Sequence, residues 1–211
     1  NCSLYNETNG NPINPAPVIG GVGLIEDVSL AVSPAFKGDD ESLFVIGATQ
    51  GHIGQSLYLR EIHGKEEGAP PPVDLTAERK HGEFVRGLIG ERLLTSCHDV
   101  ADGGLLIALA EMALAGDRGC VLDAAERDQG FWFGEDQGRY VIATEAPDEV
   151  ERKAKEAGVP LKRLGRTGGV AIRLGSGLDG GQADTASTAG VLELAALRKA
   201  HEAWLPDFMG S

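Results

Sequence analysis

Apolar and polar positions alternate along the chain in short blocks that predict interleaved strands and helices. Apolar runs bounded by glycine or polar turns predict strands at residues 18–28, 42–49, 94–100, 120–123, 139–145, 161–164 and 170–174. Helical patterns predict helices at 56–62, 77–93, 105–115, 147–157 and 191–204. Alternating strands and helices predict a mixed α and β domain built in layers.

Three segments depart from simple amphipathic periodicity. Residues 64–72 contain three consecutive prolines and two glycines, so they predict an exposed loop. Residues 176–190 are rich in Gly, Asp, Ser and Thr and predict a mobile loop. The helix at 105–115, by contrast, is apolar on every side, which predicts that it is buried.

Composition and charge narrow the class of protein. The 211 residues are 42% hydrophobic, enough for a packed core, and the 30 glycines predict many turns and close backbone approaches. A net charge of −13 disfavours nonspecific nucleic-acid binding, although backbone N–H groups can still hold an anionic ligand. No apolar run is long enough to predict a membrane span. The three cysteines lack CxxC spacing, which fits a reducing cytosol and predicts no zinc site.

A turn between a predicted strand and the buried helix carries the clearest binding chemistry. Asp102, Gly103 and Gly104 form it, and glycines let ligand oxygens approach the N–H groups at a helix start, which can hold phosphate without Lys or Arg. The alternative is that Asp102 caps the helix. His98, just before the turn, is either a ligand contact, an acid/base group or a structural histidine.

Two further segments carry polar groups that suit a metal or a cap. Glu135 and Asp136 are adjacent carboxylates that either bind a metal or, as we favour, are solvated or cap the next element. Arg139 and Tyr140 follow and are expected to cover a neighbouring surface. Residues 1–7 offer amide, hydroxyl and carboxylate oxygens, the ligands that Mg²⁺ prefers, or else form a frayed terminus.

Several stretches, taken together, resemble one enzyme family. NCSLYNET at 1–8 and PAPVIGGVG at 15–23 resemble the pattern NVSLYNET followed by PTPVIG.VG in the phosphoribosylformylglycinamidine synthase family. HDVADGGL at 98–105 resembles its HDVSDGGL, and FGEDQGRY at 133–140 resembles its FGE.Q.R pattern. HEAWLP at 201–206 resembles the family's C-terminus. The resemblance covers nearly the whole chain, and its first two segments together are specific.

The resemblance implies a fold and a division of the chain. The fold it implies is α+β, a three-layer α/β/α sandwich like the C-terminal domain of the aminoimidazole ribonucleotide synthetase (PurM-like) superfamily. Residues 1–28 are expected to be the tail of the second A-type domain, and residues 29–211 the second B-type domain. The chain is therefore expected to be a C-terminal fragment that exposes apolar surface where the other domains pack.

The resemblance also implies an ATP-dependent ligase activity in the complete protein. The family makes formylglycinamidine ribonucleotide from formylglycinamide ribonucleotide, ATP and glutamine-derived ammonia: ATP activates the amide oxygen, and ammonia then displaces phosphate, with Mg²⁺ neutralising the polyphosphate. By position, Asn1 matches a Mg²⁺-ligating Asn and Ser3 a substrate-contacting Ser, while Asp102, Gly103 and Gly104 are expected to face ligand phosphate. The family's catalytic His lies outside the matched segments, so the isolated chain is expected to be inactive.

The small form of the family implies partners as well. These are the N-terminal domains of the same chain, a glutaminase subunit and a small bridging subunit, in the cytoplasm and without nucleic acid or membrane. Two rival interpretations stand beside this one. The first is another ATP-binding member of the superfamily, such as aminoimidazole ribonucleotide synthetase, thiamine-phosphate kinase or selenophosphate synthetase, against which NCSLYNET argues. The second is a non-catalytic interaction module.

Overall fold

A computed structural model describes residues 7–13, 19–123, 128–175 and 190–210. The strands are β1 Glu7–Thr8, β2 Asn11–Pro12, β3 Ser42–Ile46, β4 Ser96–Asp99, β5 Cys120–Asp123, β6 Tyr140–Thr144, β7 Leu161–Thr167, β8 Ala171–Gly175 and β9 Val191–Glu193. The α-helices are α1 Leu57–His63, α2 Leu75–Gly90, α3 Gly104–Gly116, α4 Gln129–Phe133, α5 Pro147–Ala157 and α6 Leu194–Met209.

Seven of the strands form one mixed sheet in the order β4-β6-β3-β7-β5-β8-β9, while β1 and β2 form a short separate hairpin. Neighbouring strands of the large sheet run antiparallel except for β5 and β8, which are parallel. The strand β3 is buried at every position, as its apolar run predicts for a strand covered on both faces.

Helices cover both faces of the sheet and create two cores. Because successive side chains of a strand point to opposite faces, Leu43 and Val45 of β3 lie in one core and Phe44 and Ile46 in the other. The first core contains residues of α3, α4 and α6, and the second contains residues of α2 and α5. This is the predicted three-layer α/β/α sandwich.

Local sequence signals set most helix ends. The Asp74 side chain accepts hydrogen bonds from the N–H groups of Thr76 and Ala77, at 2.9 and 3.1 Å, and so begins α2. Helix α5 starts at Pro147 and ends before Gly158, which adopts a φ of 60°. The all-round apolarity of α3 is explained by its burial, which confirms that prediction.

The predicted strand at 18–28 is wrong. Residues 19–27 have no regular structure, and Val28–Leu30 form one turn of 3₁₀ helix. Apolar side chains in this segment, including Val22 and Leu24, are almost fully exposed. A strand needs a partner for its N–H and C=O groups, and no strand of the described residues pairs with this segment.

Other differences concern the region around the last helix and one short helix. Residues 191–193 pair with β8 as strand β9, so helix α6 starts later than predicted and extends to Met209. Trp204, a predicted apolar anchor, is 65% exposed. Helix α4 has no counterpart among the predicted elements, because its 5 residues are too few to show a helical period. The predicted loop at 176–190 lies, except for Gly190, outside the described residues.

Candidate functional site

The predicted phosphate turn lies where strand β4 gives way to helix α3. Gly103 and Gly104 have φ values of 80° and 78°, which L side chains rarely adopt. A Cβ on Gly104 would also lie 2.7 Å from the carbonyl carbon of Phe133. Gly103 is the residue that caps α3, and no side chain bonds there, so the alternative that Asp102 caps the helix is wrong.

The carboxylate of Glu135 occupies the N–H group to which a phosphate was expected to bind. Its Oε1 accepts from the N–H of Gly103 and from the N–H of Leu57, each at 2.8 Å. The N–H of Gly104 donates to the carbonyl of Ala101 at 3.1 Å. One carboxylate therefore joins the starts of α1 and α3, where the helix dipoles favour negative charge. A phosphate at Gly103 would have to displace it, and the phosphate contact stays a prediction.

The neighbouring Asp136 holds the other glycine turn. This buried carboxylate accepts from the N–H groups of Gln50, Gly51 and His52, at 3.0, 2.9 and 3.2 Å. Together with Glu135 it caps backbone segments that come earlier in the sequence, not the next element. No group of three or more His, Cys, Asp or Glu side chains in the described ranges is placed to hold a metal ion.

Arg139 completes this arrangement from inside the protein. It is 1% exposed, so the expectation that it covers a neighbouring surface is wrong. Its guanidinium donates to the carbonyl oxygens of Gly134 and Asp136, at 2.6 and 3.1 Å, and to Thr49 Oγ1 at 3.2 Å. Burial lowers the pKa of Arg139, and the nearby Asp136 carboxylate partly opposes that shift. The FGEDQGR stretch is thus an internal clamp, which we call the 133–139 clamp.

A cleft of about 310 Å³ opens beside this clamp. Its lining includes the acidic side chains of Glu78, Asp99, Asp102 and Glu135, together with Tyr140. Burial raises the pKa of the Tyr140 phenol, and the Glu78 carboxylate adds to the shift. With several carboxylates at its wall, this cleft in the described conformation repels a polyphosphate, so no catalytic step is assigned to it.

His98 and Cys97 on β4 have structural surroundings. The His98 ring lies between two carboxylates, with Nδ1 3.1 Å from Asp99 Oδ1 and Nε2 3.0 Å from Glu111 Oε2. It therefore links β4 to α3, which favours the structural alternative for His98. Burial raises the pKa of Cys97 to about 12, which makes the thiol a poor nucleophile at neutral pH.

The sequence motif was sufficient to single out this region but not the roles of its members. Glu135 and Asp136 were found as a carboxylate pair, whereas the contribution of Arg139 was missed. The available signal was a charged residue at the start of an apolar strand, where burial demands partners. Asn1 and Ser3, the predicted metal and substrate contacts, lie outside the described residues. Among the described helices, none has the length and apolarity needed to cross a bilayer.

Comparison with family models and curated proteins gives consistent matches. Residues 38–174 match the family model described as AIR synthase related protein, C-terminal domain. The chain is 49% identical to phosphoribosylformylglycinamidine synthase subunit PurL of Rhodopseudomonas palustris strain TIE-1 over its full length, and it spans 28% of that protein. It is 52% identical to the PurL subunit of Rhodospirillum rubrum, again over 28% of the relative's length. The resemblance found in the sequence is therefore confirmed.

Solved structures show the same fold. T. maritima PurL complexed with FGAR matches 80% of this chain and 29% of its own, with a TM-score of 0.62 and 15% identity. T. maritima PurL complexed with ATP matches with a TM-score of 0.59, 14% identity, and 80% and 27% coverage. At these identities the likeness establishes the fold alone.

Proposed function

The chain belongs to the AIR synthase related family through its C-terminal-domain model, and from this membership we propose that it serves phosphoribosylformylglycinamidine synthesis as part of a longer protein. The observation that carries the proposal is the 49% identity to PurL subunits across the whole chain. Since the chain spans about a quarter of those relatives' length, we propose that it acts together with the remaining domains and is inactive alone.

We propose that the chain contributes a rigid B-type domain at residues 29–211, preceded by the tail of an A-type domain at 1–28. The exposed side chains between residues 19 and 28 support this division, because apolar groups such as Ile19 and Val22 are costly to leave in water. The 133–139 clamp supports the rigid domain, because it fixes the two glycine turns through charged hydrogen bonds.

The ligands in this proposal are ATP, Mg²⁺ and formylglycinamide ribonucleotide. Solved relatives are named as complexes with ATP and with FGAR, and these names support nucleotide and substrate binding in the longer protein. Asn1 is the proposed Mg²⁺ ligand and Ser3 the proposed substrate contact, because the NCSLYNET segment matches the family pattern there. One solved relative is named PurLQS, which supports the proposal of separate glutaminase and small bridging subunits. Cytoplasmic location is part of the same proposal.

The test compares the 211-residue chain with the complete protein that contains it. Formation of the amidine product from FGAR, ATP and ammonia is measured by chromatography. We expect turnover by the complete protein and none by the isolated chain. Turnover by the isolated chain would refute the proposed division of labour, and an inactive complete protein would refute the synthase assignment.

Point variants of the complete protein test the two predicted contacts. Asn1→Ala is expected to raise the Mg²⁺ concentration needed for half-maximal activity, and Ser3→Ala to raise KM for FGAR. Asn11→Ala is the control, because Asn11 is an exposed residue of the β1–β2 hairpin. Equal effects of Asn1→Ala and Asn11→Ala would remove Asn1 from the site.

A further inference from the structure

Helices cover one face of the sheet only in part. Helices α2 and α5 pack over the face that carries Phe44 and Ile46. On strands β7, β5 and β8 the same face is exposed, whereas the opposite face buries Leu164, Leu122 and Ile172 to within 2%. A sheet in a layered fold ordinarily has both faces covered, so this uncovered half can accept another element.

The register of the strands aligns basic side chains on this uncovered half. Val121 of β5 pairs with Arg166 of β7 on one side and with Arg173 of β8 on the other. Arg163 pairs with Phe44, which places it on the same face. We call Arg163, Arg166, Arg173 and Val121 the arginine face.

The arginine face has no acidic partners of its own. Within the described part of the chain, no carboxylate lies within 4.0 Å of Arg163, Arg166 or Arg173, although the chain as a whole has a net charge of −13. Acidic residues pair instead with cations elsewhere, as Glu149 and Glu156 do with Arg152 on α5. Unpaired arginines in an acidic protein mark a surface that attracts negative charge.

An apolar pocket adjoins the arginine face at the edge of α5. Its volume is about 290 Å³, and Phe44, Ala154, Val159 and Leu161 line it together with Lys155 and Arg163. The pocket can take an apolar side chain, while the cations at its rim bind carboxylates.

We propose that the arginine face is a docking site for an acidic amphipathic helix of a separate protein chain. Arg166 and Arg173 flank Val121 across two strand spacings, about 10 Å, which is the diameter of a helix. Glutamates on such a helix meet the arginines, and an apolar side chain enters the adjoining pocket.

The chemistry of the arginine face favours a separate chain over a permanently packed domain. Permanent interfaces resemble cores and are depleted in charge, whereas reversible ones are rich in arginine. The segment at 19–28, with Ile19, Val22 and Leu24 exposed, has the apolar character of a permanent contact, and the arginine face does not. A nucleic acid is disfavoured by the charge of −13 on the rest of the chain.

The test uses a fluorescent synthetic helical peptide of about four turns, with leucines on one side and glutamates beside them. A matched peptide carries glutamine in place of every glutamate, and a short single-stranded DNA serves as a second polyanion. Binding to the 211-residue chain is followed by anisotropy at low ionic strength. Amide hydrogen exchange locates the bound peptide.

The protein variants are R166E/R173E and the control R79E/K199E, which changes the net charge equally at exposed residues of α2 and α6. We expect R166E/R173E to weaken glutamate-peptide binding by about tenfold or more, the control by less than about twofold, and protection to fall on β7, β5 and β8. If R166E/R173E does not fold, R166Q/R173Q replaces it, with weakening of about threefold or more expected.

Four outcomes would overturn the proposal. They are equal binding of the glutamine peptide, equal weakening by the control, protection elsewhere, and tighter binding of the DNA than of the glutamate peptide. The last outcome would identify a nucleic-acid surface instead.

Discussion

Removing the carboxylate of Glu135 tests whether the 133–139 clamp stabilises the domain. In Glu135→Ala, the N–H groups of Leu57 and Gly103 lose their acceptor at the starts of two helices. A hydrogen bond to a charged group contributes about 1.5 kcal/mol, so the loss of two lowers the free energy of unfolding by about 3 kcal/mol. Glu135→Gln keeps a neutral oxygen and should cost about 1 kcal/mol.

The assay is urea unfolding followed by tryptophan fluorescence, since Trp132 is buried in α4 beside the clamp. Amide hydrogen exchange at Gly103 should also speed up in Glu135→Ala. Glu26→Ala is the control, because Glu26 is exposed outside the regular elements. A cost below about 1 kcal/mol for Glu135→Ala, with unchanged exchange at Gly103, would refute the clamp.

Three other changes have expected outcomes in the same unfolding assay. Gly104→Ala, at a φ of 78° and against the backbone of a neighbouring turn, should destabilise by about 3 kcal/mol, whereas Gly87→Ala, in open space on α2, should stabilise by up to about 1 kcal/mol. Arg139→Lys loses the planar fork and should cost about 2–4 kcal/mol. Burial raises the pKa of Glu41, so the stability that its protonated form provides below its unfolded-state pKa is lost as pH rises through the higher folded-state pKa. Glu41→Gln should flatten the resulting fall in stability above about pH 5.

Each of these expectations has a result that contradicts it. Equal signs for Gly104→Ala and Gly87→Ala would show that backbone conformation does not matter at the turn. A fully stable Arg139→Lys would mean that one donor suffices inside the clamp. An unchanged difference in stability between pH 5 and pH 8 in Glu41→Gln would assign the pH dependence to other carboxyls.

Local patterns were sufficient for most of the fold, because the apolar period of an element depends on its own residues. The prediction for helix α5, with proline at its start and glycine after its end, matches the structure at both ends. Strand β5 likewise has the predicted bounds. The prediction failed at residues 18–28, because an apolar run becomes a strand only when another strand supplies hydrogen-bond partners. Strand β9 was missed for the converse reason, since β8 lies beside it.

The sequence by itself determined the family, the three-layer class and the stretches in which polar chemistry concentrates, since motif and period are properties of the order of residues. The tertiary structure alone decided what those polar groups bind. Glu135 reaches the N–H of a residue 32 positions earlier, and Asp136 one 85 positions earlier. It also decided that three arginines share one uncovered face, because strand register joins residues that are far apart in sequence. Such pairings depend on how the layers pack, and no local pattern contains that information.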